Sequence, residues 1–209
     1  MLRLNKYAAL LLGIILLGCL SCDRNSTNDD VDINDVDTTT PEPDPEPSPI
    51  TWEDCGGQLG DHACDFTFTD QNGNDWNLYE QYGDIVVLDF STMWCYYCQV
   101  AAGHAQDMQD TYGPDGVLWV TVLIDDVSGG EVDQADLTTW VETYGILTAP
   151  VLAGDRSIID LSAEDGYPLS SWPTFIIVNR EMEIEWGLHG WSDSMIVEQL
   201  EVMLDNEAQ

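Results

Sequence analysis

The chain has 209 residues, with 39 acidic side chains against 5 basic ones and a formal net charge of −34. A surface of that sign repels phosphate backbones, whose binding requires Lys and Arg, so a nucleic-acid partner is excluded. Adsorption to anionic lipid through a basic patch is excluded on the same ground.

In chain order, the first segment is MLRLNKYAALLLGIILLGCLSC. Arg3 and Lys6 precede an apolar run from Tyr7 to Leu17, the plan of a secretory leader with a charged start and a hydrophobic middle. The run is too short, and too abruptly followed by polar residues, for a spanning helix. Leu16-Leu17-Gly18-Cys19 resembles a bacterial lipobox, in which small residues precede a cysteine that is acylated and becomes the new N-terminus. Cys19 is the expected lipidation site, and Cys22 is the alternative. The expected leader is residues 1–18, and the chain is placed in the cell envelope, lipid-anchored and facing the periplasm or exterior.

Residues 19–50 read as an acidic, Pro-rich spacer ending in TTTPEPDPEPSP. Its low hydrophobicity cannot offset the entropy of ordering. Alternating prolines favour an extended, semi-rigid polyproline II tether. Residues 51–209 form the expected folded domain. Hydrophobic residues make up 44% of the chain, with eight Trp and eight Tyr, enough for one core.

Cys55 and Cys64 flank a Gly-rich loop; in an oxidising compartment they are expected to form a structural disulfide rather than, with His62, a metal site. Asp65-Phe-Thr-Phe-Thr-Asp alternates like a strand, and Gln71-Asn-Gly-Asn supplies a hairpin turn. The Asp/Asn cluster at 70–75 is no calcium loop, because its Gly is misplaced and no closing Glu follows. Ile85-Val-Val-Leu-Asp-Phe suits a strand buried on both faces. Ala101, Ala105, Met108 and Tyr112 form a helical stripe, broken by Gly113-Pro-Asp-Gly. Val117–Ile124 predicts a second buried strand. Asp133 can cap a helix with Leu137, Val141 and Tyr144 inward and Gly145 as its stop. Thr174–Val178 and Met182–Trp186 predict an antiparallel hairpin. Ser192 or Asp193 caps a last helix carrying Ile196, Leu200 and Leu204. The predicted order is β-β, then β-α-β-α, then β-β-α: an α/β chain with a sheet of mixed direction.

Trp94-Cys95-Tyr96-Tyr97-Cys98 falls where the first buried strand hands over to a helix. C-x-x-C at a helix start sets the first Cys against the positive end of the backbone dipole, which favours thiolate. Three residues later, Cys98 is turned only about 60° further around the helix, within reach of a mixed disulfide on Cys95. A zinc site would need two more ligands, and His104 falls about 180° from Cys95. The pair therefore reads as a redox dithiol.

Residues 65–98, DFTFTDQNGNDWNLYEQYGDIVVLDFSTMWCYYC, together with Trp172-Pro173-Thr174, resemble thioredoxin-fold proteins of the TlpA/ResA type and their AhpC/TSA relatives. The resemblance covers about residues 52–205. It implies a thioredoxin-like three-layer fold with a mixed central sheet and an added N-terminal β-hairpin. It further implies Cys95 as nucleophile, Cys98 as resolving thiol, Pro173 as a cis-proline beside them, and Trp94 and Trp172 against the substrate. Asp89 matches the buried acid that thioredoxins use for proton transfer, with Thr121 near the place of its lysine partner. The implied activity is thiol–disulfide exchange with envelope proteins such as cytochrome-maturation partners, supplied by a membrane electron donor or acceptor and needing no cofactor or metal. Two alternatives are a thiol peroxidase of the AhpC/TSA type and a copper-binding protein of the Sco type. Peroxidases set their cysteine in a P-x-x-x-T/S-x-x-C loop; residues 88–95 lack that proline, and the sequence offers no nearby Arg. The Sco type needs C-x-x-x-C and a distal His, for which His189 is the candidate.

Overall fold

The computed structural model describes residues 49–207. The expected leader, Cys19, Cys22 and nearly all of the spacer lie outside the described residues. Among the described residues no helix is long and apolar enough to cross a membrane.

A hairpin opens the fold, formed by β1 (Thr67–Asp70) and β2 (Asp75–Asn77). Asp70 makes its turn by accepting from the backbone N–H groups of Asn72 and Asn74 at 2.8 and 2.9 Å. Gly73 takes φ +82°, a value that costs glycine nothing. β3 (Ile85–Thr92) runs two residues beyond the apolar run that predicted it, and all eight of its residues are buried. α1 (Tyr96–Tyr112) follows, and β4 (Val117–Asp125) lies parallel to β3. α2 (Gln134–Tyr144) begins with a capping box: Asp133 accepts from Ala135 and Asp136, and Asp136 accepts from Asp133. It stops at Gly145, at φ +68°. Then come β5 (Val151–Ala153), β6 (Thr174–Val178), β7 (Ile184–His189) and α3 (Asp193–Glu207). β5 departs from the predicted order. Three residues are too few to show a periodicity, yet β5 joins β4 in parallel to β1 in antiparallel and so ties the hairpin to the sheet.

The strands lie in the order β2-β1-β5-β4-β3-β6-β7, a mixed sheet of thioredoxin-like α/β topology. Alternation along each strand divides the core into two faces. Ile85 and Val87 of β3, Trp119 and Leu123 of β4 and Phe175 and Ile177 of β6 pack with α1, α2 and α3. Val86, Leu88 and Phe90 of β3, with Val120, Val122 and Ile176, form the second core, to which α1, α2 and α3 contribute no residue among those described. The layer over that second face is irregular chain: the segment from Ile50 to Cys64 and the excursion around Ile158, Tyr167 and Leu169.

Two devices hold this irregular layer. Cys55 and Cys64 are joined by a disulfide with Cα atoms 4.8 Å apart. Tyr167 is fully buried and donates its hydroxyl to the Cys64 carbonyl at 2.6 Å. The two parts of the layer meet closely at Gly57, where a Cβ would fall 2.4 Å from the Gly166 carbonyl oxygen. His62 packs its ring edge-on to Trp52, at 3.8 Å between centroids.

Candidate active site

The junction of β3 with α1 carries the site. Cys95 is the N-cap of α1, in extended backbone, and its Sγ accepts from the Cys98 N–H at 3.4 Å. Sulfur here takes the place of the oxygen that usually satisfies the first free amides of a helix, so a negative charge on Cys95 would be met by the helix N-terminus. Both cysteines are free thiols. Cys98 has no exposure at all, while Cys95 keeps 9%.

Across from the thiols lies the turn before β6. The Trp172–Pro173 bond is cis, and the Cys95 thiol donates to the Trp172 carbonyl oxygen at 3.5 Å. The half-buried Trp172 ring packs against both cores. His189, opposite Thr174 across the β6–β7 ladder, meets the hydroxyls of Ser171 and Thr174 through Nδ1 at 3.2 and 3.0 Å. His104 stacks near Trp191 on the far side of α1, at 5.3 Å between centroids. Trp94, Tyr96 and Tyr97 are exposed aromatics around Cys95.

Beneath the thiols is a buried polar cluster. Asp89 shares a face with Ile85 and Val87, so it points toward α1. Its carboxylate accepts from Ser91 at 2.6 Å and from Thr121 at 3.3 Å. Burial outweighs these two donors and pushes its pKa up to about 7. Burial also raises Cys98, helped by its contact with Cys95 and by the charge of Asp89. Cys98 is therefore a thiol at neutral pH unless a base takes its proton.

The structure places three further polar groups at the site that sequence reasoning missed. Ser91 had a signal, since period-two alternation sets it on the same face as Asp89. Asp125 accepts from the Trp94 indole N–H at 3.2 Å, although it is 31 residues away. Arg156 grips the same carboxylate through Nε at 2.9 Å and Nη2 at 2.5 Å. This corrects the expectation of no arginine nearby: Arg156 comes within one residue of Trp94, but its guanidinium is committed to Asp125. No pattern in the sequence marks that approach.

The AhpC/TSA family model matches residues 59–186. The thiol-disulfide oxidoreductase ResA of Halalkalibacterium halodurans is 27% identical over 153 residues, which is 72% of this chain and 80% of the relative. Among solved structures, the pneumococcal exposed lipoprotein thioredoxin of Streptococcus pneumoniae superposes with a TM-score of 0.55 at 24% identity, covering 66% of this chain and 99% of that one. The thioredoxin domain of a thiol-disulfide oxidoreductase of Bacteroides vulgatus gives 0.58 at 18% identity, covering 70% and 98%.

Proposed function

The chain belongs to the AhpC/TSA family, and from that premise we propose that it is an extracytoplasmic, membrane-tethered thiol–disulfide oxidoreductase acting on envelope proteins. The observation that carries this reading is the placement of Cys95 at the helix cap, its sulfur facing the Trp172 carbonyl and the second thiol one turn behind it.

The thiolate of Cys95 attacks one sulfur of a substrate disulfide; a Cys95–substrate bond forms and the other sulfur leaves as thiolate. Cys98 then loses its proton and attacks Cys95. The Cys95–Cys98 bond forms, the second substrate thiolate leaves, and two electrons have passed from the CxxC pair to the substrate. Run backward, the same steps oxidise a dithiol. Asp89, near pH 7 in its titration, is matched to accept the Cys98 proton. Trp94 and the Trp172–Pro173 turn border the groove where an extended substrate segment lies, next to Cys95. Residues 19–50 tether the domain through a lipid on Cys19, or alternatively Cys22, and a membrane partner resets the redox state.

The test is the full chain, reduced and then mixed with a disulfide-containing peptide. Stoichiometric formation of Cys95–Cys98 disulfide and peptide dithiol is expected, and an unchanged peptide refutes the reading. Metabolic labelling with a fatty acid, compared between the native chain and Cys19→Ala, tests the anchor separately.

A further inference from the structure

β7 ends the sheet, and among the described residues no strand lies beyond it. The Gly190 N–H, just past β7, donates inward to the Pro173 carbonyl oxygen at 2.8 Å. Direction alternates along an antiparallel ladder, so His189 and Gly187 turn their N–H and C=O groups toward the open edge. Further back the same edge already takes an added chain. The Ile184 N–H donates to the Asp61 carbonyl and its C=O accepts from the Gly60 N–H, both at 2.9 Å, and His62 bridges Glu183 in antiparallel. That added segment stops there, short of Gly187 and His189.

Beside the open part lies a groove of about 330 Å³ on the sheet face opposite α1. Ile176 and Gly187, paired across the ladder, form its floor, and Leu59 and Pro168 wall it. Gly187 leaves a hollow where another residue would stand: a Cβ there would meet only the Phe175 carbonyl oxygen, at 3.5 Å. Leu59 is 70% exposed at the rim. Thr174 and His189 close the other end, next to the Trp172–Pro173 turn that faces Cys95.

We propose that this edge and groove are a second binding site for the polypeptide substrate, which adds an extended, lysine- or arginine-bearing segment to β7 and seats one apolar side chain in the Gly187 hollow. This rests on the oxidoreductase reading above. Continuity with the turn beside the thiols favours the substrate as occupant, since the two sites share the Pro173–Thr174 step of the chain. Charge selects the kind of segment. No carboxylate lines the groove, while Asp61, Glu183 and Glu185 stand along the edge beside it, so positive side chains flanking an apolar one complement the surface. A second copy of this chain would bring a net charge of −34 against one of the same sign. The chain's own acidic spacer has that sign too, and its alternating prolines lack the N–H that strand pairing needs.

The experiment gives the reduced full chain a set of peptides, each with its single cysteine in disulfide linkage to glutathione. A short peptide ends next to the cysteine; long ones extend it, on one side or the other, with alternating lysine and valine. One of the two extensions is expected to raise kcat/KM about tenfold through a lower KM, the yield of one or two strand hydrogen bonds and a buried side chain. N-methylation of alternate backbone nitrogens in that extension should abolish the gain, and so should glutamate in place of its lysine. Gly187→Val, which fills the hollow, should bring long and short peptides to the same kcat/KM. Both peptides are read on one variant, so a general loss of activity does not mimic that result. No gain from either extension overturns the second site, as does a gain that survives N-methylation, the charge exchange or Gly187→Val. Sedimentation showing a wild-type dimer that Gly187→Val dissociates gives the edge to a second copy, and a synthetic peptide of residues 23–48 that abolishes the gain gives it to the spacer; either overturns the proposal. Failure of every peptide, short and long, to be reduced overturns the oxidoreductase reading itself.

Discussion

Thr121 donates its hydroxyl to Asp89 at 3.3 Å from the position directly opposite on the neighbouring parallel strand. That contact decides the chemistry of the buried acid. A cation at this place would hold the carboxylate ionised, whereas a hydroxyl gives only one neutral hydrogen bond. Burial therefore dominates, and the group titrates at about 7, where it can both take and return a proton at neutral pH.

Stability should carry the mark of this acid. Its folded pKa of about 7 lies above the ordinary 3.8, so the folded state binds the extra proton between the two values. The contribution is fully present below about pH 4 and is lost as pH rises through about 7. Asp89→Asn should accordingly be more stable than wild type at pH 8, by up to about 4 kcal/mol, and the advantage should vanish at pH 4. Urea unfolding at both pH values checks this; a difference independent of pH would show that the acid ionises without penalty.

The two thiols should react unequally. Cys95 caps α1 and keeps some exposure, while Cys98 is fully buried and held as a thiol by burial and by the Asp89 charge. Iodoacetamide at pH 7 should label Cys95 first, read by peptide mapping. Cys95→Ser should lose disulfide exchange, and Cys98→Ser should accumulate mixed disulfides. Equal labelling rates would contradict the asymmetry.

The Cys55–Cys64 disulfide should matter to stability and not to turnover. It staples the irregular layer over the sheet face opposite α1, away from the thiols at the start of that helix. Closing so short a loop stabilises by about 2–3 kcal/mol in the chain-entropy model. Replacing both cysteines with Ala should lower the melting temperature by about 4–10 °C, with peptide-disulfide exchange retained. Loss of exchange at temperatures where the variant is folded would assign this bridge a redox role.

The Trp94–Asp125–Arg156 contact should be asymmetric under mutation. Asp125 is buried at 2% exposure and Arg156 is 61% exposed. Among the described residues, Arg156→Ala leaves the buried carboxylate with the Trp94 indole N–H alone, at a cost of about 1–3 kcal/mol. Adding Asp125→Asn removes the stranded charge and should recover part of that loss. Urea midpoints of the single and double variants measure it; a double variant less stable than Arg156→Ala would mean the charge is not stranded.

Much of the site was legible because it is local. The C-x-x-C spacing, the strand before it and the helix after it occupy one stretch of chain, and period-two and period-3.6 patterns record which way each side chain faces. In α2 the buried Trp140 completes the face of Leu137, Val141 and Tyr144, and the same periodicity places it there. Ser91 was likewise available from alternation with Asp89.

Fold class, the order of the long elements and the position of the dithiol at a helix start are all encoded locally, because each depends on neighbours a few residues apart. The bridge that β5 makes from hairpin to sheet, the irregular chain over the second core and the meeting of Arg156 and Trp94 at Asp125 arise only on folding. Those contacts join residues dozens of positions apart. They follow from how the packed sheet brings chain segments together, and no run of residues carries that information.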